Sequence, residues 1–154
     1  MKLRALLGVA VIGVLGMANI ATTAGAANPP TQYFTGIQMS TSSGAQTVVA
    51  AGPISAKGTD TELGQTADRF TFPKGSIMLK HHGGKTNQHH DPRTCSFEFD
   101  QTGTYTITSG NGAYKHASGN GTYRIHGIGT QCNDKSGSSN VAVTVELQGS
   151  LTFG

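Results

Sequence analysis

From Val141 to the C-terminus the chain alternates: Val141, Val143, Val145, Leu147, Leu151 and Phe153 are apolar, while Thr144, Glu146, Gln148, Ser150 and Thr152 between them are polar. A two-residue period belongs to a β-strand with one face buried and the other wet. Helical periodicity is nearly absent elsewhere. The 22 glycines and many threonines instead break the sequence into short alternating runs, the pattern of strands joined by tight turns. Seven further strands are predicted, over about Gln32–Met39, Gln46–Lys57, Ala67–Phe72, Ser76–His82, Cys95–Gln101, Gly103–Thr108 and Asn120–Ile128. Eight strands without covering helices fit a closed antiparallel barrel, because closure removes the unpaired edges that an open sheet would expose. A two-sheet β-sandwich is the alternative, since periodicity does not record which outer strands meet.

The N-terminus has a different character. Lys2 and Arg4 precede an apolar run from Ala5 to about Met17, and the small residues Ala21-Thr22-Thr23-Ala24-Gly25-Ala26-Ala27 follow. That order is expected of a secretory signal peptide over residues 1–27. The apolar run is shorter than the roughly 20 residues that span a bilayer. The mature protein is then one domain, residues 28–154, secreted and without a membrane segment. Loss of Lys2 and Arg4 reduces eleven basic residues to nine against eight acidic ones, a net charge of +1. With no basic cluster and no Trp, nothing points to nucleic acid as a partner. Cys95 and Cys132 are the two cysteines, and in an oxidising compartment a disulfide between them is expected. It would close a loop of about 38 residues, worth roughly 4 kcal/mol on a chain-entropy estimate.

Between two of the predicted strands lies Gly110-Asn111-Gly112-Ala113-Tyr114, then four residues, then Gly119-Asn120-Gly121-Thr122-Tyr123. The glycines permit positive φ in a compact turn, and Tyr114 can pack its ring beneath the connection. This doubled G-x-G-x-Y pattern resembles the allene oxide cyclase-like and dirigent-like β-barrel proteins. The stretch Asp91-Pro92-Arg93-Thr94-Cys95, then Phe97, Phe99 and Thr102-Gly103-Thr104-Tyr105, is similar to uncharacterised exported bacterial members of that group. The resemblance implies a barrel that constrains the shape of a reactive apolar molecule, catalysis by orientation more than by a strong nucleophile. It transfers no catalytic residue to this chain.

Candidate functional residues fall into three sets. Phe70, Phe72, Phe97, Phe99, Tyr105 and Tyr123 are the candidate lining for a small apolar or aromatic ligand. Among titratable residues in strands, alternation places Glu98, Arg124, His126 and Glu146 opposite the apolar face, hence in solvent. Asp68 alone shares a face with Phe70 and Phe72, and is a candidate acid unless it pairs with Arg69 or caps a turn. The third set is His81, His82, His89, His90 and Asp91, flanking Gly83-Gly84. Read as a hairpin-like connection, it offers imidazole and carboxylate ligands for zinc or copper, although adjacent strand histidines point to opposite faces. No nucleophile elbow, phosphate loop, Cys-x-x-Cys pair or dinucleotide fingerprint occurs.

Three functions follow: a secreted barrel binding a small apolar or aromatic molecule; a cyclase or isomerase of allene oxide cyclase or dirigent type; and a structural or interaction protein with a filled barrel. A pocket of roughly 300 Å³ or more separates the first two from the third. An inward, desolvated Asp68 separates the enzyme from the binder.

Overall fold

A computed structural model describes residues 28–39, 45–131 and 140–154. The leader expected over residues 1–27 and Cys132, the expected partner of Cys95, lie outside the described residues. Eight strands form a closed barrel in sequence order: β1 (Thr31–Met39), β2 (Gln46–Ala51), β3 (Ala56–Glu62), β4 (Ala67–Phe72), β5 (Gly75–Asp91), β6 (Ser96–Gly110), β7 (Gly119–Thr130) and β8 (Asn140–Ser150). Each pairs antiparallel with the next, and β8 returns to β1 along Thr31↔Ser150 to Met39↔Ala142. The barrel is therefore the architecture, and the sandwich is not.

Several strand boundaries differ from expectation. The last strand ends at Ser150, and of the alternating residues beyond it only Thr152 pairs, in a single bridge to Ser118. Gln46–Lys57 is not one strand: the chain turns at Gly52, whose φ of +134° favours glycine, and Pro53 next to it has no amide hydrogen to donate to the ladder. Conversely, Cys95–Gln101 and Gly103–Thr108 join into β6. Gly103 is no turn; it stands opposite Tyr123 in β7, and a Cβ there would come within 2.6 Å of the tyrosine ring. The glycine leaves room for a cross-strand aromatic. The Gly83-Gly84 segment is likewise not a hairpin connection. It is a register shift inside β5, after which Lys85 to Asp91 continue to pair with Thr102 to Ser96.

Alternation fills one end of the barrel. Phe34, Val48, Ala50, Phe70, Phe72, Ile77, Leu79, Tyr105, Ile107 and Leu147 point inward and are buried. Phe34 meets Phe70 edge-to-face with centroids 5.2 Å apart, and lies parallel-displaced from Phe72 at 6.3 Å. Ile54 from the β2–β3 turn, Leu151 after β8 and Tyr114 close this end. Tyr114 sits under the β6–β7 connection, where Gly112 has φ +57°, and its ring contacts Phe72 and Phe153. Gln32, fully buried, fastens the plug. Its amide donates to the carbonyls of Tyr33, Ala51 and Ile54, and its Oε1 accepts from Ile54 N–H at 2.7 Å. A buried amide is tolerated because its hydrogen-bonding groups are used.

The other end is built differently. The long strands β5 to β8 run past the short β2 to β4, and the inward residues change from apolar to polar. That change creates the site.

Candidate functional site

At the open end the inward positions of β3, β4 and β5 carry charge. β3 reads Gly58, Asp60, Glu62 along its inner face while Thr59 and Thr61 point outward, and β4 contributes Asp68 ahead of Phe70 and Phe72. Glu62 is directly opposite Asp68, and Asp60 is opposite Phe70, so Asp60 and Asp68 are diagonal neighbours. On β5, His81 follows Ile77 and Leu79 on the inner face, and its Nε2 lies 2.7 Å from Asp68 Oδ2. Facing these groups are Phe99 and Gln101 of β6, Tyr123 and Ile125 of β7, and Val143 and Val145 of β8. Together they enclose a cavity of about 400 Å³.

The cavity is thus half charged and half apolar. Asp68, 6 % exposed, pairs with His81 and not with Arg69. The His81 ring in turn lies 5.3 Å from that of Tyr123, whose hydroxyl accepts from Gln101 Nε2 at 3.4 Å. The Asp68 hydrogen bond raises the His81 pKa above its ordinary value, against the opposing effect of burial. Asp60 is the reverse case. Burial, reinforced by the nearby charges of Asp68 and Glu62, pushes its carboxyl up to about 7. Its Oδ1 is buried with no hydrogen-bond partner among the described residues. At neutral pH Asp60 is therefore divided between acid and carboxylate, beside an imidazole held by Asp68.

The remaining predicted residues distribute as follows. Phe99 and Tyr123 line the cavity, Phe70, Phe72 and Tyr105 lie in the packed half, and Phe97 stands on the projecting part of the sheet. Tyr105 has its hydroxyl buried without a partner among the described residues, and burial raises its pKa to about 12. The five residues of the expected metal cluster are not brought together. His81 points into the barrel, His82 points out and meets Thr106 Oγ1 at 3.2 Å, and His89 and His90 are exposed. His81 and His89 are eight residues apart on one extended strand, on the order of 25 Å. Asp91 accepts from the Arg93 backbone N–H in the β5–β6 turn.

On the outer wall, Glu98, Asp100 and His126 form the one trio among the described residues whose ligand atoms converge, within 4.8 Å. Arg124 already occupies it, donating to Asp100 Oδ1 from Nη2 at 2.7 Å and from Nε at 3.1 Å. A groove of about 700 Å³ farther out, along Phe97, Ile128 and Val141, gathers no comparable set of convergent acids and bases.

Sequence reasoning found Asp68 and missed Asp60. No periodic signal marked it, because Thr59 and Thr61 on the outer face are as polar as Asp60 and Glu62 on the inner one. His81 was legible as chemistry but assigned to the wrong partners. In comparison with protein-family models, curated proteins and solved structures, the chain shows no significant match to any of the three.

Proposed function

We propose that this protein is an exported barrel that binds one small molecule in its open half, with an apolar or aromatic body against Phe99, Tyr123, Ile125, Val143 and Val145 and a polar group toward Asp60. The observation that carries this reading is the contrast between the two ends. One half is packed with its own side chains, while the other keeps a cavity of about 400 Å³ in which buried polar groups converge. Folding alone favours filling such a space. A recognition site is the common reason to leave it.

Titration with the neutral fluorophore N-phenyl-1-naphthylamine is expected to give saturable, blue-shifted emission at one site per barrel. Val143→Trp, which places an indole in the cavity, is expected to weaken this binding at least about tenfold. Absence of saturable binding to the wild-type protein would overturn the proposal.

A second reading, an isomerase or cyclase of the allene oxide cyclase or dirigent type, is favoured by one observation: an acid with a pKa of about 7 stands next to a His–Asp pair. Such a pair of groups can give and take a proton at neutral pH. The two readings separate on a ligand found by native mass spectrometry in protein from its own culture medium. Under the isomerase reading that ligand acquires deuterium at carbon in D₂O, at a rate that Asp60→Asn lowers. A binder leaves its carbon-bound hydrogens in place.

A further inference from the structure

We infer that the ligand of the open half is an organic cation, a protonated amine on an apolar or aromatic body, whose ammonium group docks on Asp60. The inference rests on the binding reading above and adds to it the charge of the ligand.

The charge of the cavity argues against other classes. Asp60, Glu62 and Asp68 contribute three carboxyl groups, His81 is the one basic group, and no Lys or Arg is among the described lining residues. His81 is already engaged by Asp68. An anionic ligand would therefore meet uncompensated carboxylates with no free cation to bind, a costly arrangement in a partly desolvated site. A metal ion is disfavoured by geometry, because the donor atoms of Asp60, Asp68 and His81 do not converge as a ligand set among the described residues. A monocation asks for less: one carboxylate oxygen with a free lone pair, and an apolar wall for the rest of the molecule.

Asp60 supplies that oxygen. Its Oδ1 is buried and, among the described residues, unpartnered, whereas Glu62, nearer solvent, has Gln46 Nε2 at 3.4 Å and Asp68 has His81. An N–H donor from the ligand would satisfy this acceptor, which belongs to a residue that lines the cavity, and a charge-assisted bond is the strong kind. The rings of Tyr123 and Phe99, which line the same cavity, can then receive the aromatic body.

Binding of this kind moves a proton. Asp60 is faced by Asp68 from β4, Glu62 from its own strand and His81 from β5; burial and then the two acids raise its pKa, while the imidazole lowers it. An ammonium group beside it stabilises the carboxylate, so the proton held by the empty site leaves to the buffer. Affinity for the cation is therefore expected to rise with pH through about 7.

Three indoles that differ in charge test the idea: tryptamine, its neutral analogue tryptophol and the anion indole-3-acetate, each displacing bound N-phenyl-1-naphthylamine at pH 8. Tryptamine is expected to bind at least about tenfold tighter than tryptophol, with indole-3-acetate weakest. Asp60→Asn is expected to shrink the tryptamine preference to less than about threefold, while Asp100→Asn, on the outer wall, leaves it unchanged. Calorimetry of tryptamine binding at pH 7 in phosphate and in Tris should show net release of about half a proton per ligand, since Asp60 is then about half protonated. Equal affinity for tryptamine and tryptophol, or a preference that survives Asp60→Asn, would overturn the cation assignment while leaving a binding barrel. Failure of the dye itself to bind would instead remove the reading on which the assignment rests.

Discussion

Between pH 5 and pH 8.5 the wild-type protein is expected to lose about 2 kcal/mol of stability, and Asp60→Asn is expected to abolish most of that loss. In the unfolded chain an aspartate titrates near 3.8, whereas in the fold Asp60 titrates near 7. Below the lower value both states hold the proton and Asp60 has no effect on folding. Between the two values only the unfolded chain ionises, so it gains on the native state as pH rises. Above 7 the full penalty applies. Two pH units at about 1.4 kcal/mol each give nearly 3 kcal/mol, reduced to about 2 because Asp60 is partly open to solvent in the cavity. His81 acts in the same direction. Its folded pKa is raised, so its stabilisation is complete below about 6.5 and is lost as pH climbs through the higher folded value. Asp91 and Asp100, whose pKa values are lowered by Arg93 N–H and by Arg124, act at more acidic pH and do not obscure the window. Urea denaturation at half-unit pH intervals measures the slope, and identical profiles for wild type and Asp60→Asn would show that burial does not hold the proton on this side chain.

The second large effect belongs to the packed half. Phe34→Ala is expected to cost about 4 kcal/mol, a large share of the roughly 5–15 kcal/mol that holds a domain of this size together. Phe34 is 1 % exposed and joins β1 to β4 through its contacts with Phe70 and Phe72. The space left behind is walled by strands on every side of a closed sheet, which cannot collapse into it. Phe99→Ala removes the same ring from the open half, where Phe99 is only partly buried and already borders a cavity, so a loss of about 1–2 kcal/mol is expected. Denaturation midpoints at constant m compare the two variants directly. Equal losses would mean that the two halves do not differ in packing.

The barrel itself was legible because apolar alternation is strong wherever the inner face is apolar. β1 and β4 read correctly from their own residues, and β8 did so up to Ser150. The errors concern glycine. Gly52, followed by Pro53, ends a strand, while Gly103 and Gly84 sit inside one, and the glycine by itself does not distinguish them. At Gly103 the reason for glycine is the Tyr123 ring on the neighbouring strand, and at Gly84 it is the close approach of the Thr102 backbone. Both are tertiary facts. Asp60 escaped notice for a related reason: the inner face of β3 is Gly58, Asp60 and Glu62, so hydrophobic periodicity is silent where the site is built. Asp68 was visible because Phe70 and Phe72 marked its face. The pairing of Asp68 with His81 joins β4 to β5 across a register that sequence spacing does not encode.

The connections β2–β3, β4–β5 and β6–β7, together with the start of β1 and the finish of β8, all lie at the plugged end, where Gln32, Ile54, Tyr114 and Leu151 hold the strands in place. The cavity is at the opposite rim. Cohesion and recognition are thus assigned to separate storeys of one sheet. Residues at the rim can be exchanged, whether by evolution or by a protein engineer, to admit a different guest without loosening the foundation.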